Sequence, residues 1–478
     1  MDSTNLSLKP GAHVHFIGIC GTAMASLAGL MNSMGYKVTG SDQNVYPPMS
    51  TQLRDLGIVI QEGYKKENLT PAPDLVIVGN VVSKNNEEVV ALLATDIQYT
   101  SLPKAMGQFA IGERHSIVVA GTHGKTTTTS MMAKVADQCD LRPGYMIGGI
   151  PIDFGRSFRV SEGNYFIIEG DEYDTAFFDK VPKFIHYRPH SAILTSIEFD
   201  HADIYKDLDA VKAAFRMLIE RMPKDGLLIA CADSDNVCEL AEEAKCRVVY
   251  YGAHNGDYII RNRQIIDGRN HFTVEHKNHN IGDIALKLPG EHNALNALAV
   301  FALARELGWP TSGVLQGLAN FQGVKRRQEV IGTPAGVTLI EDFAHHPTAV
   351  KVTIDAIREK YLATGTGRLF CLFEPRSATS RRRVFQRDYV AAFDNADLVM
   401  IAKAFDQSKI VETDRFSTAE LVRDLLMSGQ TACEFDSVDE IVTEVRKDAR
   451  KGDVVLIMSN GGFGGIYQKL NTVLKGTP

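Results

Sequence analysis

The chain alternates short apolar runs with helix-like segments over almost its whole length, and this pattern constrains the fold more than any other feature. Runs 13–19 (HVHFIGI), 74–80 (DLVIVGN) and 165–171 (YFIIEGD) are typical of buried strands, and segment 23–35 has the periodicity of a helix. Strands buried on both faces and joined through helices form parallel sheets. We therefore predict an α/β fold. A chain of 478 residues is too long for one core, which favours about three domains.

Breaks in the pattern suggest where these domains begin and end. We predict three α/β domains, over 1–113, 114–322 and 323–478. Within the central domain, residues 255–290 combine turn dipeptides with short alternating runs. That pattern predicts a small antiparallel sheet at the edge of the parallel one.

Composition narrows the class of protein. The net charge of −7 gives no overall basic field, so we expect no nucleic-acid partner. The seven cysteines form no C-x-x-C pair, which argues against a disulfide framework or a cysteine zinc site and suits a reducing compartment. We find no signal-peptide pattern in residues 1–16 and no apolar run of about 18 residues. The expectation is a cytoplasmic protein without a membrane partner.

A glycine-rich stretch, VVAGTHGKTTTTS (118–130), joins a predicted strand to a predicted helix. Successive N–H groups in such a turn, together with the helix N-terminus, bind phosphate oxygens. Lys125 would contact the outer phosphates, and Thr126 would be a Mg²⁺ ligand. The common spacing G-x-x-x-x-G-K-[ST] fails, because Val119 stands five places before Gly124. The alternative is a turn that only connects strand to helix.

Acidic residues and a histidine follow two further predicted strands. Glu169 ends one strand and would hold Mg²⁺, whereas 171–174 is better explained as an acidic, solvent-facing turn. His201 follows another strand end between Asp200 and Asp203. It is either part of a metal or phosphate site or an ordinary surface histidine.

The first predicted strand also ends in a glycine turn. Gly18 and Gly21 suit a phosphate, but Cys20 and Ala23 occupy positions where a dinucleotide fingerprint has glycine. We therefore favour a nucleotide-diphosphate group, with Asp42 or Ser41 near its ribose. A nicotinamide oxidoreductase and a non-catalytic nucleotide-binding subunit remain as alternatives.

Arginines and histidines open the third domain. Arg326 and Arg327 offer planar guanidinium groups suited to phosphate. Asp342, His345 and His346 follow a strand end. Adjacent histidines point apart, so at least one is expected at the entry of a helix rather than in a metal site.

Together these stretches resemble the Mur ligases, the ATP-dependent amide-forming enzymes of peptidoglycan synthesis. AGTHGKTTTT (120–129) is similar to the shortened phosphate loop of that family, and GEHNALNALA (290–299) to its adenine-contacting stretch. GVKRRQE (323–329) and EDFAHHPT (341–348) resemble its arginine and ribose motifs. The resemblance covers essentially the whole chain and implies ATP and Mg²⁺ as cofactors. It also implies a Rossmann-like N-terminal domain, a central P-loop-type ATPase domain and a Rossmann-like C-terminal domain.

The resemblance also implies roles for individual residues. Lys125, His201 and Arg376 would be catalytic, and Thr126, Glu169 and His201 would bind metal. The ATP-binding set would be Gly121, Thr122, His123, Gly124, Lys125, Thr126, Thr127, Asn293, Asn296, Arg327 and Asp342. The substrate-binding set would be Gly18, Gly21, Thr22, Ser41, Asp42, His345, Ser459 and Asn460.

Within the family, the first domain resembles the branch that takes UDP-N-acetylmuramate. The stretches 18–24, 40–53, 373–380 and 457–470 are similar to members that attach a murein tripeptide during peptidoglycan recycling. The implied substrates are UDP-N-acetylmuramate and that tripeptide, and L-alanine is the alternative amine. The oligomeric state is left open.

Overall fold

The computed structural model describes residues 6, 8–45, 49–363 and 365–475. Residues 1–5 and 7, from the stretch tested for a signal peptide, lie outside the described residues, as do residues 46–48 of the stretch 40–53. Three large sheets follow one another along the chain, with five, ten and six strands. Among the described residues, no helix is long and apolar enough to cross a membrane.

The first sheet is entirely parallel and has the strand order β3-β2-β1-β4-β5. Its strands are β1 (His13–Ile17), β2 (Lys37–Asp42), β3 (Val59–Glu62), β4 (Leu75–Val78) and β5 (Tyr99–Ser101). The helices are α1 (Thr22–Ser33), α2 (Met49–Asp55), α3 (Glu87–Leu93) and α4 (Leu102–Ala105), followed by a π-helical turn (Met106–Ile111). All residues of β4 are buried, as expected for a strand covered by helices on both faces.

The central unit contains the ten-stranded sheet and a separate two-stranded one, β10-β11. Its strands are β6 (His115–Ala120), β7 (Gly144–Met146), β8 (Phe158–Arg159), β9 (Tyr165–Gly170), β10 (Asp174–Ala176), β11 (Asp179–Pro182), β12 (Ser191–Leu194), β13 (Leu227–Cys231), β14 (Arg247–Gly252), β15 (Tyr258–Ile266), β16 (Arg269–His276) and β17 (His279–Leu286). Its helices are α5 (Lys125–Gln138), α6 (Leu208–Arg221), α7 (Asp235–Ala241), α8 (Glu291–Glu306) and α9 (Thr311–Asn320).

The order of the large sheet is β17-β16-β15-β14-β13-β12-β6-β9-β7-β8. Strands β15, β16 and β17 pair antiparallel at one edge, which confirms the prediction for 255–290. The parallel part places the ends of β6, β9 and β12 side by side, because β6 pairs with both of the others. This is the edge where α/β sheets bind ligands.

The third unit has the strand order β18-β19-β23-β20-β21-β22, with only the β18–β19 pair antiparallel. Its strands are β18 (Glu329–Gly332), β19 (Thr338–Asp342), β20 (Leu369–Phe373), β21 (Leu398–Ala402), β22 (Ala432–Phe435) and β23 (Val454–Met458). Its helices are α10 (Pro347–Tyr361), α11 (Asp388–Ala392), α12 (Thr418–Met427), α13 (Val438–Asp448) and α14 (Ile466–Lys475). The fold is α/β, with Rossmann-like outer units around a central unit, as predicted.

The apolar cores divide unevenly among the three units. One continuous core runs from the first unit into the central one, where Ser26 of α1 also lies 2.7 Å from Ser157 through their hydroxyl oxygens. The third unit has two cores of its own, one on each face of its sheet. The third unit contacts the rest of the chain through hydrogen bonds and ion pairs, such as Thr379 with Asp200 and Glu359 with Arg263, and through the rings of Phe385 and Phe199.

Candidate active site

The glycine loop between β6 and α5 is tied to the end of β12. Thr122 N–H donates to the carbonyl of Ser196 at 2.9 Å, and the Thr195 hydroxyl donates to the carbonyl of His123 at 2.6 Å. Gly121 has φ +130°, and a Cβ there would lie 2.2 Å from Thr195 Oγ1. Gly124 has a left-handed φ of +79° directly before α5 begins. The backbone conformation of the loop therefore requires glycine at both positions.

Lys125 lies in the first turn of α5 with its ammonium group folded under the loop. Its Nζ donates to the carbonyl of Gly121 at 2.7 Å and lies 3.2 Å from Glu172 Oε2. Both side chains are buried, with 10% and 2% of their surface exposed. Burial alone would lower the pKa of Lys125, but the carboxylates of Glu172, Asp171 and Glu169 together raise it above its ordinary value. The group is a fixed positive charge at the N-terminus of a helix.

Thr126 and Glu169 form a pair of oxygen donors beside the loop. The Thr126 hydroxyl donates to Glu169 Oε1 at 2.9 Å, and the other Glu169 oxygen accepts from Gly148 N–H at 2.9 Å. Arg327, from the start of the third unit, places Nη2 3.5 Å from Thr126 Oγ1. Burial raises the pKa of Glu169. Hard oxygen ligands next to a phosphate-binding loop fit Mg²⁺, which takes such ligands together with substrate phosphates.

His201 lies at the end of the segment that follows β12. Its Nε2 is 2.9 Å from the Tyr173 hydroxyl, 3.5 Å from Asp200 Oδ2 and 3.7 Å from Glu172 Oε1. Burial tends to raise the pKa of Asp200, but the nearby His201 ring lowers it below its usual range. Asp200 also accepts a 2.8 Å hydrogen bond from Thr379 of the third unit. His201 thus belongs to the site rather than to the open surface.

The region predicted to hold adenine and ribose lies between α8 and β19. Asn293 Nδ2 donates to Gln328 Oε1 at 3.1 Å, and Gln328 N–H donates to Asp342 Oδ2 at 2.8 Å. Asn296 Oδ1 would be 2.7 Å from a Cβ at Gly124, so this helix lies directly behind the phosphate loop. Burial raises the pKa of Asp342. Loop, helix and strand end form one crevice.

Ser41 and Asp42, at the end of β2, hold the glycine turn of the first unit. The Ser41 carbonyl accepts from Gly18 N–H at 2.8 Å, and Asp42 Oδ2 accepts from Cys20 N–H at 2.8 Å. The Ser41 hydroxyl is buried and has no hydrogen-bond partner among the described residues. Helix α1 begins at Thr22, so the turn presents a helix N-terminus as predicted.

The third unit contributes a charged group at the ends of β20 and β23. The guanidinium of Arg376 stacks 3.8 Å from the centre of the Phe405 ring, with Nη1 3.4 Å from Glu374 Oε1. Glu374 Oε2 accepts from the Ser459 hydroxyl at 2.5 Å. The adjacent Asn460 Oδ1 is buried without a hydrogen-bond partner among the described residues. This set offers a cation and an amide to an incoming polar group.

Comparison with known proteins assigns the chain to a family. Three family models match: "Mur ligase family, catalytic domain" over 13–114, "Mur ligase middle domain" over 119–304 and "Mur ligase, glutamate ligase domain" over 326–461. A relative from Haemophilus influenzae is 39% identical over 97% of this chain and 99% of its own. The chain belongs to the Mur ligase family.

Three Mur ligases illustrate the degree of sequence and structural similarity. The Haemophilus influenzae relative is named UDP-N-acetylmuramate–L-alanyl-γ-D-glutamyl-meso-2,6-diaminoheptandioate ligase. A UDP-N-acetylmuramate–L-alanine ligase from Clostridium botulinum is 33% identical over 95% of this chain and 96% of its own. The crystal structure of a murein peptide ligase from Psychrobacter arcticus superimposes with a TM-score of 0.72 at 35% identity, covering 98% of this chain and all of the other.

Mur ligases are amide-forming enzymes, so this placement gives no support to an oxidoreductase built on the first glycine turn. The structure brings the predicted residues into two groups. The first group lies around the phosphate loop and consists of Glu169, His201, Asn293, Asn296, Arg327, Asp342 and His345. Arg376, Ser459 and Asn460 extend this group at the strand ends of the third unit. Gly18, Gly21, Thr22, Ser41 and Asp42 form the second group, on the first unit.

One prediction about this Mur ligase site is wrong in part. Within residues 171–174, Glu172 is 2% exposed and Asp171 pairs with Lys183 at 2.9 Å, so neither faces open solvent. The Asp174 side chain is 42% exposed, as predicted. The turn bends back toward the loop because the ammonium of Lys125 compensates the buried carboxylate. Glu172 follows Glu169 by three residues after the same strand, and this spacing is the only signal in the sequence that could have identified it.

The structure also settles the histidine pair, and it adds two residues that the sequence did not single out. His346 caps α10, where its Nδ1 accepts from Thr348 N–H at 3.3 Å, as expected for one member of the pair. His345 Nε2 instead lies 3.9 Å from Asp200 Oδ2. Gln328 and Tyr173 were missed, because their partners come from distant parts of the chain.

Proposed function

We propose that this chain is an ATP-dependent ligase that joins the lactyl carboxylate of UDP-N-acetylmuramate to the amine of L-alanyl-γ-D-glutamyl-meso-diaminopimelate, in peptidoglycan recycling. The observation that carries the proposal is the end-to-end match, at 39% identity, to a ligase whose name states this reaction. The L-alanine ligase of the same family is the second candidate, since a member matches at 33% identity.

The crevice supplies what the first chemical step needs. A carboxylate does not accept an amine directly, because oxide would have to leave. A carboxylate oxygen therefore attacks the γ-phosphorus of ATP, the bond to the β–γ bridging oxygen breaks, and ADP leaves. Phosphoryl transfer depends mainly on positioning and charge stabilisation. Loop N–H groups, the Lys125 ammonium and the Arg327 guanidinium are the positive groups that would surround the phosphates.

Mg²⁺ fits the site through the oxygens of Thr126 and Glu169, with His201 proposed for a second ion. When bound, the metal neutralises phosphate charge and polarises the oxygens that it contacts. Asn293, Asn296 and Asp342 are proposed to bind the nucleoside, because they lie beside the loop.

The second step forms the amide. The amine lone pair attacks the acyl carbon, the carbon–oxygen bond to phosphate breaks, and the proton lost from the nitrogen leaves with the phosphate. Charge that develops on the carbonyl oxygen is stabilised by fixed positive groups such as Lys125. We propose that Arg376, Ser459 and Asn460 bind the incoming peptide, since the guanidinium lies at the strand ends together with an amide oxygen that has no partner among the described residues.

The first unit is proposed to hold the UDP-sugar through Gly18, Gly21, Thr22, Ser41 and Asp42. Asn80, after β4, lies with Nδ2 3.5 Å from the carbonyl of Asp174, so the end of the first sheet faces the acidic turn of the central site. The proposed domains are 1–113, 114–322 and 323–478, and the proposed location is the cytoplasm.

The test is ADP release with UDP-N-acetylmuramate held constant and the amine varied. We expect release and a new amide product with the tripeptide. Product with L-alanine and none with the tripeptide would leave the L-alanine ligase instead. No turnover with either amine would contradict both assignments.

A further inference from the structure

Two histidines and a glutamate meet where the phosphate loop faces the third unit. His123 belongs to the loop, Glu198 follows β12, and His346 caps α10. His123 Nε2 lies 3.4 Å from Glu198 Oε2, and His346 Nδ1 lies 3.9 Å from the same oxygen. One ligand atom from each of the three residues lies within 4.8 Å of the others. We call this group the His–Glu–His cluster.

The orientation of each side chain suits metal coordination. His346 Nε2 lies 3.2 Å from the carbonyl of Phe199, to which it can donate. Its Nδ1 faces Glu198 and accepts from Thr348 N–H at 3.3 Å, a long contact that a metal bound at Nδ1 would replace. Metal-binding histidines usually donate their second ring N–H to such a carbonyl. His123 Nε2 is buried and makes no hydrogen bond with the described residues. The Thr348 hydroxyl donates to Glu198 Oε2 at 2.7 Å and fixes the carboxylate.

We propose that the His–Glu–His cluster is a second type of cation site, which binds Zn²⁺ or another first-row divalent transition ion. Two imidazoles and one carboxylate form a common three-residue zinc set that leaves a fourth position for water. Such a donor set selects transition ions, whereas the oxygen donors of Thr126 and Glu169 suit Mg²⁺. The 3.4 Å separation of His123 and Glu198 is near the ligand–ligand distance of a tetrahedral site with bonds of about 2.1 Å.

Occupancy of this site would link two parts of the molecule. His123 moves with the phosphate loop, and His346 moves with the third unit, whose cores are separate from the rest. A metal bound to both would hold the third unit against the loop. Zn²⁺ would therefore slow any reaction cycle that needs the two parts to separate, and excess Mg²⁺ would not reverse the effect.

The test uses the full-length, metal-free chain without nucleotide and Co²⁺ as a spectroscopic probe. We expect one four-coordinate Co²⁺ per chain, displaced by one equivalent of Zn²⁺. His346→Ala and Glu198→Gln should each weaken Zn²⁺ binding by about 100-fold or more, since a direct ligand is lost. This measurement does not depend on the proposed function.

His201→Ala is the matched control, because His201 lies in the neighbouring site with Glu172 and Asp200. We expect this variant to bind Zn²⁺ as tightly as the original chain. Loss of binding in His201→Ala with retention in His346→Ala would overturn the proposal, as would absence of four-coordinate Co²⁺ in the original chain. Thermal unfolding of each variant tests whether it is folded. If His346→Ala does not fold, the Zn²⁺ affinity of Glu198→Gln provides the test.

Discussion

At the scale of the residue, Lys125 is the side chain on which the proposed chemistry depends most. We expect Lys125→Met to slow turnover by about 10²- to 10³-fold, because one fixed positive group is lost at the developing charge. The same change leaves Glu172 buried without its partner, which costs about 3–5 kcal/mol of stability. Steady-state kinetics and urea unfolding measure the two effects.

A double variant separates these two effects. Lys125→Met combined with Glu172→Gln removes the unpaired charge, so stability should recover in part while turnover stays low. Lys212→Ala, on α6, is the control for loss of a lysine elsewhere, because it breaks a more exposed ion pair with Glu239 of α7. Near-normal turnover in Lys125→Met would contradict the role of the loop.

Arg376 tests the proposed peptide site. Arg376→Gln should raise the KM for the tripeptide by about tenfold or more, since a hydrogen bond to a charged group contributes about 1.5–3 kcal/mol. The KM for UDP-N-acetylmuramate should stay unchanged. Arg383→Gln is the control, because Arg383 pairs with Glu420 and its side chain is 49% exposed. Equal effects on both KM values would argue against a peptide-binding role.

His115 gives a prediction about stability alone, far from the crevice. Burial and the neighbouring His190 lower the pKa of His115 from 6.5 to about 4. The folded chain therefore binds fewer protons there than the unfolded chain, and this contribution to stability is full above about pH 6.5 and lost as the pH falls toward about 4. The pKa values of His292 and His346 are also lowered to about 4, so these two residues contribute to the same loss of stability at low pH.

Urea unfolding between about pH 7 and about pH 5 checks this sign. The unfolding midpoint of the original chain should fall over this range, and that of His115→Gln should fall less. The same decline in both proteins would show that His115 is not held neutral by the fold.

At the scale of the element, the phosphate loop depends on backbone geometry at Gly121. Gly121→Ala forces a Cβ against Thr195 Oγ1 and also requires a positive φ. Gly308→Ala is the control, because its Cβ would meet nothing within 4 Å although φ is +74°. Its loss of stability therefore measures the cost of the positive φ alone, about 1 kcal/mol. We expect Gly121→Ala to destabilise the chain more and to weaken binding of a fluorescent ATP analogue, whereas Gly308→Ala leaves binding unchanged. An equal loss of stability in the two variants, with unchanged binding of the ATP analogue in both, would contradict the tight contact between the loop and Thr195.

The elements themselves were mostly predictable from local patterns. Apolar runs predicted β1, β4 and β9, and the alternation over 255–290 predicted the antiparallel strands β15 to β17. Short strands such as β10 and β11 were not predicted, because three or four residues carry no periodicity. The antiparallel strand β18 was missed for the same reason.

The sequence predicted the site residues that directly follow a predicted strand. Thr126 and Glu169 were expected to share an ion, and they lie in hydrogen-bond contact. Glu172 was assigned to solvent, because nothing local shows that its turn folds under Lys125. Contacts between sequence-distant residues, such as Thr379 with Asp200, depend on how the units pack.

At the scale of the whole molecule, the polar contacts between the third unit and the crevice are the important feature. Arg327 reaches Thr126, and Thr348 reaches Glu198, while the apolar cores of the third unit stay separate. Polar contacts between separately folded units permit relative motion. We infer that the third unit closes over the loop and excludes water from the acyl phosphate.

The central claim is that the loop delivers the γ-phosphate of ATP to the lactyl carboxylate. The most direct measurement uses UDP-N-acetylmuramate with ¹⁸O at both oxygens of that carboxylate, ATP and the tripeptide, followed by mass analysis of the phosphate. The account predicts that every phosphate released with amide product carries one ¹⁸O atom from the carboxylate, because the acyl carbon–oxygen bond breaks in the second step. Unlabelled phosphate, or label found in AMP, would contradict it.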